Sequence, residues 1–295
     1  MLLLDQELAR RLERDGMHGN SLIAEVWPRV NPSSTLDVLR VEGSIALYGG
    51  TVFPINEAVG LGMDAAVEDS VLDQIEAFYH QRGSDAVIRL CPLAHESLLH
   101  KMGRRGYRIA EYAYRWVIDL TEWRSPFAEP DPRVRAVDLG DSHDVQVWCE
   151  TVSDGFCNVD GVGAGGAVDG VDGVESPDAP DAVRAATDLG LERAFCAIPG
   201  AMPVLCTVGD EPACAGMLAT GAGIASLFAT STRPRFRQRG LQTALLDWRL
   251  RKAQELGMEI ATIETDPASG SARNAQRMGF ALAYVATSMH LPPKP

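Results

Sequence analysis

Residues 225–256 read ASLFATSTRPRFRQRGLQTALLDWRLRKAQEL, and this stretch decides the fold. The apolar run over 225–230 predicts a short buried strand, and Pro234 ends regular pairing because proline has no N–H to donate. Apolar residues then recur at helical spacing over 241–256, which predicts an amphipathic helix that begins near Gly240. The charged residues that this pattern places mostly in solvent are Arg249, Arg251, Lys252 and Glu255.

The turn before that helix carries a concentration of positive charge. Its arginines are Arg233, Arg235, Arg237 and Arg239, in a chain whose formal net charge is −13. A helix start leaves backbone N–H groups unpaired and carries the positive end of the helix dipole. Glycine at position 240 lets the backbone approach a ligand closely. We therefore expect an anionic ligand here, the alternative being a basic turn that only caps an ordinary helix.

The order of the neighbouring elements narrows the interpretation. Arg237, Gly240 and Gln242 follow a strand and open a helix, a second strand is predicted over 260–264, and Asn274 and Met278-Gly279-Phe280 come next. This series resembles the GNAT superfamily of acyl-coenzyme A-dependent N-acyltransferases, in which such a loop holds the pyrophosphate of the cofactor. The resemblance is specific over the C-terminal portion and weaker elsewhere, because several elements in a fixed order carry it.

The resemblance implies that the protein transfers an acetyl group from acetyl-coenzyme A to a primary amine by direct attack on the thioester. Asn274 is then expected to hydrogen-bond the pantetheine arm or its loop, while residues 230–232 offer backbone groups to the pantetheine amides, like an added strand. The cofactor-binding residues that it implies are Thr230, Ser231, Thr232, Arg237, Gln238, Arg239, Gly240, Leu241, Gln242, Thr243 and Asn274.

Two residues are candidates for the proton transfers. Glu264, at the end of a predicted buried strand, could deprotonate the amine directly or through water, or it could belong to a structural ion pair. Many family members carry a tyrosine four residues before the glycine of Gly-Phe, as an acid for the departing thiolate. This chain has Ala275 there, and Tyr284 on the following strand is a candidate substitute.

An internal repeat organises the chain. The segment 83–90 parallels 257–264, each is preceded by an amphipathic helix, and 105–110 parallels 278–283. We therefore predict an α/β fold of two tandem GNAT-like domains, each a mixed, mostly antiparallel sheet flanked by helices. The predicted boundaries are 1–125 for a degenerate first domain, 126–133 for a Pro-rich linker and 134–295 for the domain that binds acetyl-coenzyme A.

The first copy lacks the basic helix start of the second. Its equivalent residues, 64–69, read DAAVED, and carboxylates at a helix start suit the dipole but repel a pyrophosphate. We expect the first domain to pack against the second and to form part of the acceptor pocket, scaffolding being its alternative role. Within the second domain, residues 158–181 carry six acidic residues and no basic one, which predicts a flexible insertion. This insertion is either a lid or cation-attracting rim, or a solvated loop.

Composition excludes several classes of protein. The acidic net charge disfavours binding to nucleic acid. We expect the N-terminal residues to form neither a signal peptide nor a membrane span. The scattered cysteines, without a Cys-x-x-Cys motif, predict reduced, buried thiols and no metal site. We expect a cytoplasmic monomer or homodimer. Two other functions remain open, namely an acyl-coenzyme A sensor without turnover and a general anion-binding scaffold.

Overall fold

The computed structural model describes residues 4–157 and 189–293. The predicted acidic insertion therefore lies outside the described residues. The helices are α1 (Gln6–Val30), α2 (Asp69–His80), α3 (Glu96–Arg105), α4 (Ser142–Cys157), α5 (Gly190–Ala197), α6 (Leu241–Glu255) and α7 (Gly270–Arg277), with a short 3-10 helix at Pro234–Phe236. The strands are β1 (Asp37–Val41), β2 (Ser44–Tyr48), β3 (Ala58–Val59), β4 (Ala86–Leu90), β5 (Arg108–Asp119), β6 (Val134–Ala136), β7 (Met202–Val208), β8 (Glu211–Gly221), β9 (Ile224–Thr232), β10 (Ile260–Thr265) and β11 (Ala281–Leu291).

All eleven strands of the described residues form one sheet, in the order β1-β2-β3-β4-β11-β5-β10-β9-β8-β7-β6. Among these strands of the described ranges, β3–β4 and β9–β10 are parallel pairs, and the other neighbours are antiparallel. The predicted α/β class and the mostly antiparallel pairing are confirmed. The strands of the two repeats join one continuous sheet, whereas we expected one sheet for each repeat.

The continuity arises because the two repeats exchange their last strands. Strand β11 of the second repeat lies between β4 and β5 of the first, while β5 lies between β10 and β11 of the second. Val117, near the C-terminal end of β5, is thus opposite Thr262 on one side and Ala281 on the other. An exchanged strand satisfies its backbone N–H and C=O groups on both sides, which an edge strand cannot do. The boundaries predicted around 126–133 stay a prediction.

Helices cover both faces of the shared strands. On one face, α6 and α7 pack on Trp116 and Ile118 of β5 in a core that continues through Phe280. On the other face, α1 packs Leu8 and Leu12 against Val117 and its neighbours. No helix within the described ranges is long and apolar enough to cross a membrane.

The helix predicted over 241–256 is α6, with two differences from the expected pattern. Arg249 is fully buried, so its predicted exposure is wrong, and Leu256 is exposed although it was assigned to the apolar face. Arg249 faces β8, where a Cβ on Gly216 would lie 2.9 Å from the guanidinium. Periodicity missed this because a glycine in the facing strand leaves room for a longer side chain than the pattern allows.

The shared sheet predicts an asymmetric response to proline. Val117→Pro removes a ladder N–H from a strand that is paired on both sides, and we expect it to lower the free energy of unfolding by roughly 3 kcal/mol or more. Val38→Pro on the edge strand β1 is the matched control. The N–H of Leu47, opposite Val38, points to Glu57 and not to β1, so the Val38 N–H points outward.

Urea unfolding of both variants measures the difference, and Val38→Pro is expected to change stability by less than about 1 kcal/mol. Equal losses for the two variants would contradict the strand order.

Candidate functional site

Strands β9 and β10 run side by side and then separate. They pair over Ile224–Leu227 and Ile260–Ile263, and no pairing follows further along. The register between β8 and β9 shifts after the Met217–Phe228 pair, so β9 carries one extra residue before the next pair, and Ala229 has a φ of +48°. A bulge of this kind bends the strand away from its neighbour. It leaves a gap between β9 and β10, with strand-edge backbone groups of β9 facing it.

Arg249 lies beneath this bulge and holds it. Its guanidinium donates to the carbonyl oxygen of Met217 at 3.0 Å and to Oγ1 of Thr230 at 2.9 Å. None of its hydrogen bonds within the described residues goes to a carboxylate, and burial lowers its pKa to about 10, so the group is charged at neutral pH. A buried cation without a carboxylate partner is costly, which makes Arg249 a candidate functional residue that the sequence pattern missed.

The turn after β9 has the geometry of an anion cradle. Gly240 immediately precedes α6 in the left-handed region, with φ of +72°, and a Cβ built there would meet nothing within 4 Å. Gln238 also has a positive φ, of +61°. Arg237 donates to the carbonyls of Thr232 and Gly155, at 3.3 Å each, so it ties the turn to β9 and α4. Open space in front of unpaired helix-start N–H groups fits a phosphate.

The predicted pantetheine residues lie at the end of β9 and on α7, and some of them make structural contacts. The Ser231 hydroxyl is buried and donates to the carbonyls of Thr151 and Val152 on α4, at 3.0 Å each. Asn274 on α7 donates to Oε1 of Gln242 on α6 at 2.7 Å, which brings two predicted site residues together. These hydrogen bonds hold β9 to α4 and α7 to α6. The role of the same residues in binding the cofactor stays a prediction.

A cavity of about 650 Å³ opens on the gap from the face that carries α1. It is lined from the second repeat by α4, α5 and the Ser226–Ala229 part of β9, and from the first repeat by α1 and the loop between β2 and β3. Most of the wall is apolar, and its floor is charged. The charged groups of the floor are Glu13, Asp15, Glu57, Arg89, Arg115 and Glu264.

Glu264, the predicted base, lies at this floor between two arginines. Its carboxylate is 3.0 Å from Arg89 Nη1 and 3.0 Å from Arg115 Nη2. Arg89 also binds Glu57, with Nε–Oε2 at 3.0 Å. Since Arg115 and Glu264 are opposite each other on β5 and β10, the exchanged strand supplies one of the partners. The ion pair that the sequence left as an alternative is thus formed, and the catalytic role stays a prediction.

Tyr284, the predicted acid, is buried beneath the cavity floor. Its hydroxyl donates to Oε1 of Glu13 at 2.6 Å, and burial raises the pKa of both groups above their ordinary values. Tyr284 is not among the residues that line the cavity, whereas Glu13 is. The role as an acid stays a prediction, and the observed contact is one that fixes α1 to β11.

Asp15, one turn further along α1 from Arg11, is a cavity residue that the sequence analysis did not select. Its carboxylate accepts a hydrogen bond from the Ser226 hydroxyl on β9. Burial is the largest influence on it and raises its pKa, against the hydrogen bond from Ser226 and the charge of Arg115. The signal available in the sequence was the pair of acidic residues, Glu13 and Asp15, within an otherwise amphipathic helix.

The corresponding helix start of the first repeat is occupied by the protein itself. Asp69 begins α2 and accepts hydrogen bonds from Lys101 at 2.6 Å and Arg105 at 2.9 Å, which lower its pKa to about 2. Next to β3, a Cβ on Gly60 would lie 1.9 Å from Sδ of Met17, so α1 fills that side of the strand. This packing is consistent with the predicted contrast between an acidic helix start in the first repeat and a basic one in the second.

Comparison with known proteins assigns the fold. No protein-family model matches the chain, and no curated protein matches it in sequence. A GCN5-related N-acetyltransferase from Kribbella flavida is similar, with a TM-score of 0.58 at 14% identity over 94% of this chain and 96% of that chain. One from Sphaerobacter thermophilus has a TM-score of 0.55 at 15% identity, over 88% and 76%.

A tandem GNAT protein from the clavulanic acid biosynthesis pathway is also similar, with a TM-score of 0.53 at 12% identity over 92% of this chain and 88% of that chain. At these identities the likeness establishes the fold, and the predicted resemblance to tandem GNAT proteins is confirmed at that level.

Gly240→Glu tests the anion cradle. The new side chain would fill the open space at the helix start with negative charge, and we expect binding of coenzyme A to weaken at least about tenfold. Because φ is +72° at Gly240, any side chain there is also strained.

Gly257→Glu is the matched control, since Gly257 follows the other end of α6 with a φ of +74° and open space around its Cβ position. It carries the same strain and charge, and coenzyme A should bind it as it binds the wild type in calorimetry. Equal affinities for both variants would place the anion elsewhere.

Glu13→Gln tests the charged floor. Burial raises the pKa of Glu13 above 4.5, so the folded state holds this proton at pH values where the unfolded chain has released it. Stability therefore falls as pH rises through that interval, and glutamine abolishes this loss while keeping an acceptor for Tyr284.

We expect the melting temperature of Glu13→Gln, relative to wild type, to rise as the pH is raised above 4.5. Glu25→Gln changes an exposed carboxylate on the same helix and is the control. A relative melting temperature that is flat or falls with pH would contradict the assignment.

Proposed function

We propose that this chain, whose fold is that of the GCN5-related N-acetyltransferases, transfers an acetyl group from acetyl-coenzyme A to a primary amine. One observation carries the proposal. The gap between β9 and β10 has an open, basic helix start at one side and a cavity at the other, so a long anionic thioester and an acceptor could meet inside it.

The chain's own groups suit each part of acetyl-coenzyme A. The backbone around Gly240 would hold the pyrophosphate, and the strand edge of β9 at Thr230 and Thr232 would pair with the pantetheine amides. Arg249 fixes this edge from below through Thr230 and Met217. Its charge lies close to where the thioester would sit, and a fixed positive charge in a dry site stabilises developing negative charge.

The reaction needs an amine without its extra proton. Its nitrogen lone pair attacks the thioester carbonyl carbon, a C–N bond forms, the C–S bond breaks, and the sulfur leaves as a thiolate that takes up a proton. An ammonium ion and acetyl-coenzyme A therefore give the amide, coenzyme A and one proton released to solvent. The cavity floor, with its carboxylates, is where the ammonium form would bind before it loses that proton.

For Glu264 we favour the ion-pair role over the role of general base. Each of its two carboxylate oxygens is already bound to a guanidinium group, Oε1 to Arg89 and Oε2 to Arg115, at 3.0 Å each. The same contacts hold β10 to β5 and β4 at the point where the gap opens. Glu264 would then set the shape of the site, and solvent or another group would accept the proton.

The proposed function is tested by calorimetry and by an amine screen that follows release of free coenzyme A. We expect acetyl-coenzyme A to bind at one site per chain, because Asp69 and α1 occupy the equivalent region of the first repeat. We also expect thiol release only when an amine is present. Binding of acetyl-coenzyme A without release of coenzyme A for any amine would favour the sensor. Equal binding of inorganic pyrophosphate and coenzyme A would favour the anion-binding scaffold. Two equivalent binding sites per chain would overturn the contrast between the repeats.

Glu264→Gln separates the two roles of that residue. Loss of two partly exposed ion pairs is expected to lower stability by roughly 2 kcal/mol, less than for a fully buried pair, and to reduce turnover without a distinctive pH dependence. Glu57→Gln is the control, since it removes a carboxylate from the same Arg89 without touching β10.

Melting temperature and turnover across pH are the measurements. A general base would show itself differently, through an unchanged melting temperature and a turnover reduced roughly a hundredfold that recovers as pH rises toward the pKa of the amine.

A further inference from the structure

The wall of the cavity is built from two aromatic pairs, one from each repeat. Trp27 on α1 and Phe53 in the loop before β3 meet edge to face with ring centroids 5.4 Å apart. Phe195 on α5 and Phe228 on β9 do the same at 5.0 Å. Apolar walls of this size exclude water and favour an apolar ligand body.

The floor of the cavity has a surplus of carboxylates. Of its six charged residues four are acidic and two are arginines, and both arginines are engaged with Glu264 or Glu57. Asp15 makes no ion pair among the described residues and is held by the Ser226 hydroxyl. The effect of burial on Asp15 outweighs the attraction of Arg115 and His18. Since a buried carboxylate without an ion-pair partner favours a cation, the floor suits an ammonium group.

Asp15 is also close to the gap between β9 and β10. Its partner Ser226 precedes Phe228 by two residues, which is roughly 7 Å along a strand. An ammonium bound to Asp15 would therefore lie within about one side-chain length of the bulge at Ala229, where the proposed thioester enters. The amine and the apolar body of one molecule could then satisfy the floor and the walls at once.

We propose that the acceptor is a primary arylalkylamine, whose ammonium group binds Asp15 and whose aromatic body packs between the two aromatic pairs. The proposal rests on the proposed acetyl transfer for its chemistry, while the binding site itself rests on the cavity. A volume of about 650 Å³ is in the range of sites for drug-sized ligands and is much larger than a small aliphatic amine needs.

The binding test uses phenethyltrimethylammonium, which cannot be acetylated, in calorimetry on the full chain without acetyl-coenzyme A. We expect it to bind, Asp15→Asn to weaken it at least about tenfold, and Glu25→Gln, an exposed carboxylate on the same helix, to leave it unchanged. No binding, or equal binding to wild type and Asp15→Asn, would overturn the proposal.

The transfer test compares phenethylamine with ethanolamine in the presence of acetyl-coenzyme A. We expect kcat/KM to favour phenethylamine, and Phe53→Ala to lower that preference about tenfold, whereas Phe127→Ala, an exposed residue outside the cavity, leaves it unchanged. A wild-type preference for ethanolamine would also overturn the proposal.

The two proposals fail separately. If the quaternary probe binds through Asp15 but no amine releases coenzyme A, the ammonium site stands and acetyl transfer falls. If small polar amines are acetylated while the probe does not bind, acetyl transfer stands and the arylalkylamine site falls.

Discussion

Strand β5 hydrogen-bonds to β10 and β11, both of which belong to the second repeat, and the rest of the molecule depends on this pairing. It merges two sheets into one and places Arg115 of the first repeat opposite Glu264 of the second. It also brings α1 across the seam, so that Glu13 and Asp15 reach β11 and β9. A cavity with walls from both repeats is a direct result of this exchange.

The two repeats have diverged in the electrostatics of the same structural position. In the second, a helix begins at open space with glycine in the left-handed region. In the first, Asp69 is bound by Lys101 and Arg105, so a carboxylate of the chain neutralises the helix start and the nearby cations. The first repeat thus fills its helix start with an internal ion pair, whereas the second leaves open the space in which the proposed function places an external anion.

Much of this architecture could be predicted from the sequence, because it depends on local signals. The basic turn, Gly240 and the helix that follows are contiguous, and the repeat is visible as two similar segments. What could not be predicted depends on which strands become neighbours. Arg249 is buried because Gly216 faces it from β8. Glu264 on β10 meets Arg89 on β4 because the exchange of β11 and β5 brings these two strands into the same sheet. No periodicity in one segment encodes the partner that another segment will supply.

The exchange of strands also sets the order in which the chain can fold during synthesis. Strand β4 of the first repeat has β11 as a neighbour, yet about 190 residues of chain separate Leu90 from Ala281. The first repeat therefore cannot complete its sheet until residues 281–291 have left the ribosome, although its helices and the β1–β2 hairpin are local and need no later strand. Non-local pairing of this kind slows folding and leaves strand edges exposed meanwhile. The nascent first repeat is thus the stage of the protein's life at which we expect dependence on chaperones to be greatest.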